Sequence, residues 1–158
     1  MVRCFVGLIL FHVSMSVMTD SCSFELVFVS SLDSYKCENA TIQIKGKVKG
    51  VVLDSCTKCN LLFESAISSC EVVNSKRVQL QSTGICPSFS IDKTDGCLIY
   101  LSQEAVSITN FVTSKSTEMN VSWFDEKADE QKEAPIPEQF VHRIVDGRIS
   151  SDVSDLYH

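Results

Sequence analysis

A parallel β-helix is the all-β fold this sequence predicts, on three observations. Short strand-like runs alternate with polar turns along most of the chain. The pattern recurs at a period near 20 residues, the mark of stacked coils that bury a continuous core together. No long amphipathic helical pattern interrupts it. The recurrence is readable in two series. The turn positions Asp54, Asn74, Asp92 and Ser114 lie 20, 18 and 22 residues apart, and the apolar positions Ile42, Leu61, Val78, Leu98 and Met119 lie 19, 17, 20 and 21 apart. An irregular sandwich would also turn often, but nothing in it requires a fixed period.

Each element has its own local reason. Residues 1–20 form an atypical apolar segment: one early charge, Arg3, precedes a run from Cys4 to Met18. It resembles a signal sequence with Ser14-Met15-Ser16 as a weak cleavage site, and equally an alternative start or an apolar strand. It is short for a membrane span. Residues 21–158 make the β-helix domain. Phe24–Val29 is the first strand signal, followed by Thr41–Val48, which alternates apolar and polar residues. Val51–Leu53, Asn60–Phe63, Val72–Val73, Val78–Leu80, Phe89–Ile91, Leu98–Leu101, Ile108–Val112 and Met119–Val121 continue the series. The clearest repeat is Ser90–Ser102, in which Asp95-Gly96 supplies turn chemistry and Cys97–Leu101 reads as a buried strand.

After Trp123 the composition changes. Phe124–Glu133 is charged and predicts an exposed loop. Ala134–Phe140 is stiffened by Pro135 and Pro137, and Val141–Ile149 predicts a hairpin turning at Asp146-Gly147. The hairpin region so defined covers about residues 134–150. A lone hairpin is unstable in water. Pro135, Pro137, Phe140, Val141, Ile144, Val145 and Ile149 are therefore expected to pack on the coils or on a second copy of the chain.

Composition narrows the function. A net charge of −6 argues against a nucleic-acid partner, which would call for a basic surplus. The eight cysteines are even in number, as in a disulfide framework, but several sit within apolar strand patterns. They are expected to be reduced, structural thiols. Cys56-Thr57-Lys58-Cys59 has metal or redox spacing, yet the three histidines lie towards the chain's ends and no second pair accompanies it. The pair reads as two small residues at a coil corner, with no metal and no cofactor. Asp92 and Asp95 read as caps of backbone amides rather than an acid–base pair. No nucleophile–base pair and no phosphate-cradling loop suggests itself, so no catalytic residue and no enzyme activity is assigned. The sequons Asn39-Ala40-Thr41 and Asn120-Val121-Ser122 fit secretion, but such triplets often arise by chance.

Ile91–Cys97 followed by Tyr100-Leu101-Ser102 resembles the signature of the C-terminal domain of cyclase-associated proteins. Thr113–Val121 is similar to that family's next coil, Pro135–Phe140 to its entry into the C-terminal hairpin, and Thr41–Val48 to an earlier coil. The four stretches occur in the family's order across Cys37 to Gly147; residues 1–20 match nothing in it, nor is its N-terminal helical domain present. The resemblance implies a right-handed parallel β-helix that dimerises by exchanging its C-terminal hairpin. It further implies binding of monomeric actin, preferentially with ADP bound, promotion of nucleotide exchange alongside cofilin and profilin, and a cytoplasmic, cytoskeleton-associated location without membrane contact.

Lys45 and Lys47 are expected on the outer face of the Thr41–Val48 strand. Lys76, Lys93 and Lys115 are expected to stack as a ladder in corresponding turns, with Asp95 and Glu118 offsetting the charge. These seven residues are the candidate actin-binding surface. Two rival readings remain from the sequence. One is a tubulin-cofactor-C-like domain that stimulates GTP hydrolysis, with Arg77 as its arginine finger. The other is a secreted, disulfide-linked β-solenoid.

Overall fold

In the computed structural model the described residues are Phe5–Leu8, Val13–Met18, Ser21–Val27 and 31–155, with side chains from residue 31 onward. All their regular structure is β, in strands β1 (Phe5–Leu8), β2 (Val13–Met18), β3 (Ser21–Val27), β4 (Ser31–Tyr35), β5 (Ala40–Val48) and β6 (Gly50–Asp54). There follow β7 (Asn60–Ala66), β8 (Cys70–Val73), β9 (Lys76–Ser82), β10 (Ser88–Asp92) and β11 (Asp95–Leu101). The last are β12 (Asn110–Ser114), β13 (Thr117–Asp125), β14 (Glu130–Pro135), β15 (Phe140–Val145) and β16 (Arg148–Val153).

The chain alternates between two sheets, and each strand pairs parallel with its equivalent one coil away. The first sheet has the order β1-β4-β6-β8-β10-β12 and the second β14-β13-β11-β9-β7-β5-β3-β2. This is the expected solenoid. At its start β1 runs antiparallel to β4 and β2 antiparallel to β3, so the apolar N-terminal segment contributes a strand to the edge of each sheet. At its end β14 folds back antiparallel on β13. The charged stretch expected as a loop is thus mostly strand. β13 runs on to Asp125, the turn is confined to 126–129, and Lys132 bonds back to Asp125 across it.

The core is a set of inward rows. Ile42, Leu61, Leu80, Ile99 and Val121 align in register along the second sheet, and Leu32, Val51, Cys70, Phe89 and Phe111 along the first. The series read from the sequence is corrected in two ways. Val78 and Met119 lie two residues from the row, because Val78 and Leu80 both point inward and period-2 patterning does not choose between them. Leu98 lies one residue off, on the outward face between the buried Cys97 and Ile99. Phe63, Phe89 and Phe111 close the interior, with ring centroids 6.4 Å and 5.8 Å apart. Gly46, at φ +91°, sits in a bulge that breaks the β5–β7 register.

The corner between the sheets is the most regular feature. Each holds two left-handed residues three apart: Lys36 and Asn39, Ser55 and Lys58, Asn74 and Arg77, Lys93 and Gly96, Lys115 and Glu118. For a residue with a Cβ this conformation costs about 1–2 kcal/mol. It is offset by hydrogen bonds between coils. Lys36, Ser55, Asn74 and Lys93 each donate their N–H to a carbonyl of the next coil, at 2.9–3.0 Å.

Between the left-handed pair one residue points inward: Cys37, Cys56, Ser75, Thr94 and Ser116, all buried. The spacing from Cys56 to Ser75 and from Ser75 to Thr94 is 19 residues, then 22 to Ser116. Each hydroxyl accepts the corner N–H of the preceding coil, from Cys56 to Ser75 Oγ (3.0 Å), Ser75 to Thr94 Oγ1 (3.4 Å) and Thr94 to Ser116 Oγ (3.1 Å). Each also donates to the carbonyl two residues earlier, Val73, Asp92 or Ser114. Buried amides that would otherwise lack a partner are satisfied in this way. Ser75→Ala strands the Cys56 N–H and is expected to cost about 1–3 kcal/mol in urea unfolding. A loss within a few tenths of a kcal/mol of zero would contradict this role.

Candidate functional site

The outward side of this corner and the adjoining face of the second sheet carry the candidate residues. Lys45 and Lys47 are exposed on β5 either side of the Gly46 bulge, as expected. The other five divide among three rows. Lys93 and Lys115 occupy the first left-handed position, where Lys93 also lies 3.7 Å from Asp92. Lys76 does not join them. It pairs in register with Asp95 on one side and Thr57 on the other. The expected three-lysine ladder is therefore corrected to a two-lysine row beside a row of mixed charge, Glu38–Thr57–Lys76–Asp95–Thr117. The physical reason is the corner geometry. Lys93 is a left-handed residue whose equivalent one coil back is Asn74, two positions before Lys76.

Asp95 accepts the Thr117 hydroxyl at 3.1 Å, and the Glu118 N–H donates to Glu138 Oε2 at 3.1 Å. Those bonds tie β11, β13 and the approach to the hairpin together. Neither Asp92 nor Asp95 caps a backbone amide through its side chain; the amides near them are taken by carbonyls and by the corner hydroxyls. The row Asn39–Lys58–Arg77–Gly96–Glu118 follows. Sequence reasoning passed over Lys58, since left-handed corner residues read as ordinary loop. The available signal was its spacing of 19 from Arg77.

The cysteines are largely core. Cys56, Cys59, Cys70, Cys86 and Cys97 are buried free thiols, whereas Cys37 is disulfide-bonded, which corrects the expectation of a wholly reduced set. The change is local. Cys37 holds the first corner's inward position, in which the following coil places the free thiol of Cys56. Cys56 and Cys59 face inward on either side of one corner. The side-chain hydrogen bond between them holds Cys59 below and Cys56 well above the ordinary thiol value. Burial pushes Cys86 up to about 11 and Cys97 to about 12. Among the described residues no three His, Cys, Asp or Glu side chains converge on a metal-sized site.

The hairpin turns at Asp146 (φ +50°) and Gly147 (φ +73°), the pair of left-handed residues a type I′ turn requires. Its own coils leave most of its apolar side chains uncovered. Ile144 is 76% and Ile149 69% exposed, and Phe140, Val145 and Val153 are exposed with them. β12 meanwhile ends the first sheet, with one edge unpaired. A groove of about 600 Å³ lies there, lined by Thr113, Met119, Pro137 and Phe140 among others.

Cys86 and Cys97 generate a pH prediction. Their folded pKa values are raised, so at these two positions the folded state keeps protons that the unfolded chain releases above about pH 9. Their contribution to stability is full below that pH and is lost as pH rises towards 11–12, by roughly 1.4 kcal/mol per pH unit for each of the two. Cys97→Ala should flatten the alkaline slope of the unfolding free energy. A slope identical to the wild type would contradict the assignment.

Three comparisons with known proteins agree with this geometry. The family described as adenylate cyclase associated (CAP) C terminal matches residues 17–156. An adenylyl cyclase-associated protein of Dictyostelium discoideum is 50% identical over 107 residues, which are 67% of this chain and 23% of that protein. The human adenylyl cyclase-associated protein 2 is 45% identical over 106 residues, again 67% of this chain and 22% of the relative. This chain thus spans under a quarter of the length of those relatives. The crystal structure of cyclase-associated protein from Cryptosporidium parvum superposes with a TM-score of 0.72 at 30% identity, covering 89% of this chain and 94% of that one. With strand order, corner chemistry and terminal hairpin in place, the chain belongs to the C-terminal domain family of the cyclase-associated proteins.

Proposed function

We propose that this chain binds monomeric actin, preferentially in its ADP-bound form, and promotes exchange of the bound nucleotide. The observation that carries the reading is the family match over nearly the whole β-helix, corner signature and hairpin approach included. The domain supplies no reacting group. Its binding energy favours an actin conformation from which nucleotide escapes faster, a shift that requires tighter binding to that conformation than to the closed one. Released actin monomers would be recharged and returned to filaments in cooperation with cofilin and profilin, in the cytoplasm. Lys45, Lys47, Lys76, Lys93, Asp95, Lys115 and Glu118 are the candidate contact residues in this reading.

The same reading includes a homodimer formed by exchange of the hairpin. A protomer that leaves Ile144 and Ile149 in water and one edge of β12 unpaired holds both halves of a contact. The partner's hairpin covers that edge while burying its own apolar residues. Because Ile144 and Ile149 touch little within the protomer, Ile144→Glu with Ile149→Glu should leave the coils folded and halve the mass in light scattering. An unchanged dimeric mass would reject the exchange.

Fluorescent-nucleotide release from ADP-actin tests the activity. The expected result is faster release with the chain present, saturating as actin is bound. Release at the free-actin rate in the presence of folded dimer would reject the proposal.

A further inference from the structure

Lys58 and Arg77 occupy the same left-handed corner position in successive coils, and Lys76 stands beside Arg77. The Lys58 N–H bonds to the Lys76 carbonyl at 2.9 Å, so these three exposed cations are carried by backbone one strand spacing apart. None forms an ion pair among the described residues. Stacked like charges repel, and the chain as a whole carries a net charge of −6. The cluster is thus a local reversal of the protein's charge, with Asp95 in register beside Lys76 and Glu118 across from Arg77 as neighbouring acids that form no ion pair with it.

The surface next to it has a different chemistry. In the following coil the equivalent position is Gly96, whose missing side chain opens a notch between Arg77 and Glu118. This notch is a groove of about 180 Å³ reaching Leu98 and Gln79. A second groove of about 230 Å³ runs from Gln79 along Gln81, Leu62 and Tyr100. The two meet at Gln79 and make one shallow, uncharged strip across β7, β9 and β11, with half-buried Leu62, Leu98 and Tyr100 along it. An uncharged centre holding an aromatic, bounded by Lys58, Lys76 and Arg77 on one side and by Glu118 at the far side of the notch, is the anatomy of a surface that receives a folded protein.

We propose that this strip, with Lys58, Lys76 and Arg77 on its border, is the docking surface for an acidic patch on a folded protein partner. The inference rests on the actin reading and deepens it. The contact is centred on Leu62, Leu98 and Tyr100 and steered by Lys58 and Arg77, rather than resting on the Lys93–Lys115 row. Rim cations speed encounter and make it sensitive to salt, and the aromatic gives the complex its lifetime.

The test uses the full chain and monomeric ADP-actin as probe, with affinity measured at low and at physiological salt. Arg77→Glu, and separately Lys58→Glu, should weaken binding about tenfold, and less at the higher salt. Tyr100→Ala should weaken it about tenfold at both. Lys49→Glu makes the same charge change outside the strip and should bind as wild type. Thermal unfolding of each variant separates loss of binding from loss of fold. If wild type binds and both Arg77→Glu and Tyr100→Ala, equally folded, bind unchanged, the docking surface is wrong and the actin reading survives. If folded wild type does not bind actin, the actin reading fails and this inference with it.

Discussion

The buried hydroxyl ladder at the corner is the interaction on which the rest of this structure depends. A β-helix can slip by two residues along any strand without moving an apolar side chain to the outside, because the strand period is two. Cys56, Ser75 and Thr94 remove that freedom. Each N–H in the ladder finds its acceptor in the next coil only when the corners are stacked in register. A slip would leave three buried amides without partners, at about 1–3 kcal/mol each. That is large against the 5–15 kcal/mol by which a domain is usually stable.

The inward ladder decides the outward surface. Once Ser75 sits on Cys56 and Thr94 on Ser75, the exposed residues on either side are fixed as well. Lys76 then faces Asp95, and Arg77 falls beside Lys58 instead of beside an acid. Exposed charge pairs contribute little to stability. The arrangement of these charges is a consequence of packing beneath them, free to serve a partner. The two ends of the stack differ in the same sense. Antiparallel β1, β2 and β14 border the sheets at three edges, whereas β12 leaves an open edge beside an apolar hairpin. Of these edges β14, charged along its length and ending in Pro135, discourages further strand addition, and β12 invites it.

Much of this was legible in the sequence. Asp146-Gly147 announced its hairpin because a type I′ turn needs two left-handed residues, and Asp-Gly supplies them. The solenoid itself followed from recurrence alone. The register did not, and the case of Asn74 shows why. It resembles Asp54 and Asp92 chemically, yet Val73 is the residue aligned with them. The true marker was the 19-residue step from Cys56 to Ser75 to Thr94, hidden because a thiol and two hydroxyls do not look alike until all three are seen pointing inward. The 126–129 turn was overdrawn for a related reason. Charged residues on a two-sided exposed hairpin read as loop, since no apolar alternation marks them as strand.

Amide hydrogen exchange at the corners tests the central claim, that the ladder fixes the stack. If it does, the N–H groups of Cys56, Ser75 and Thr94 exchange as slowly as those of the innermost strand residues, Leu80 and Ile99, and open only with global unfolding. Exchange of these three amides at the rate of the exposed 126–129 turn, with Leu80 and Ile99 still protected, would mean that the corners are held by the sheets rather than the sheets by the corners.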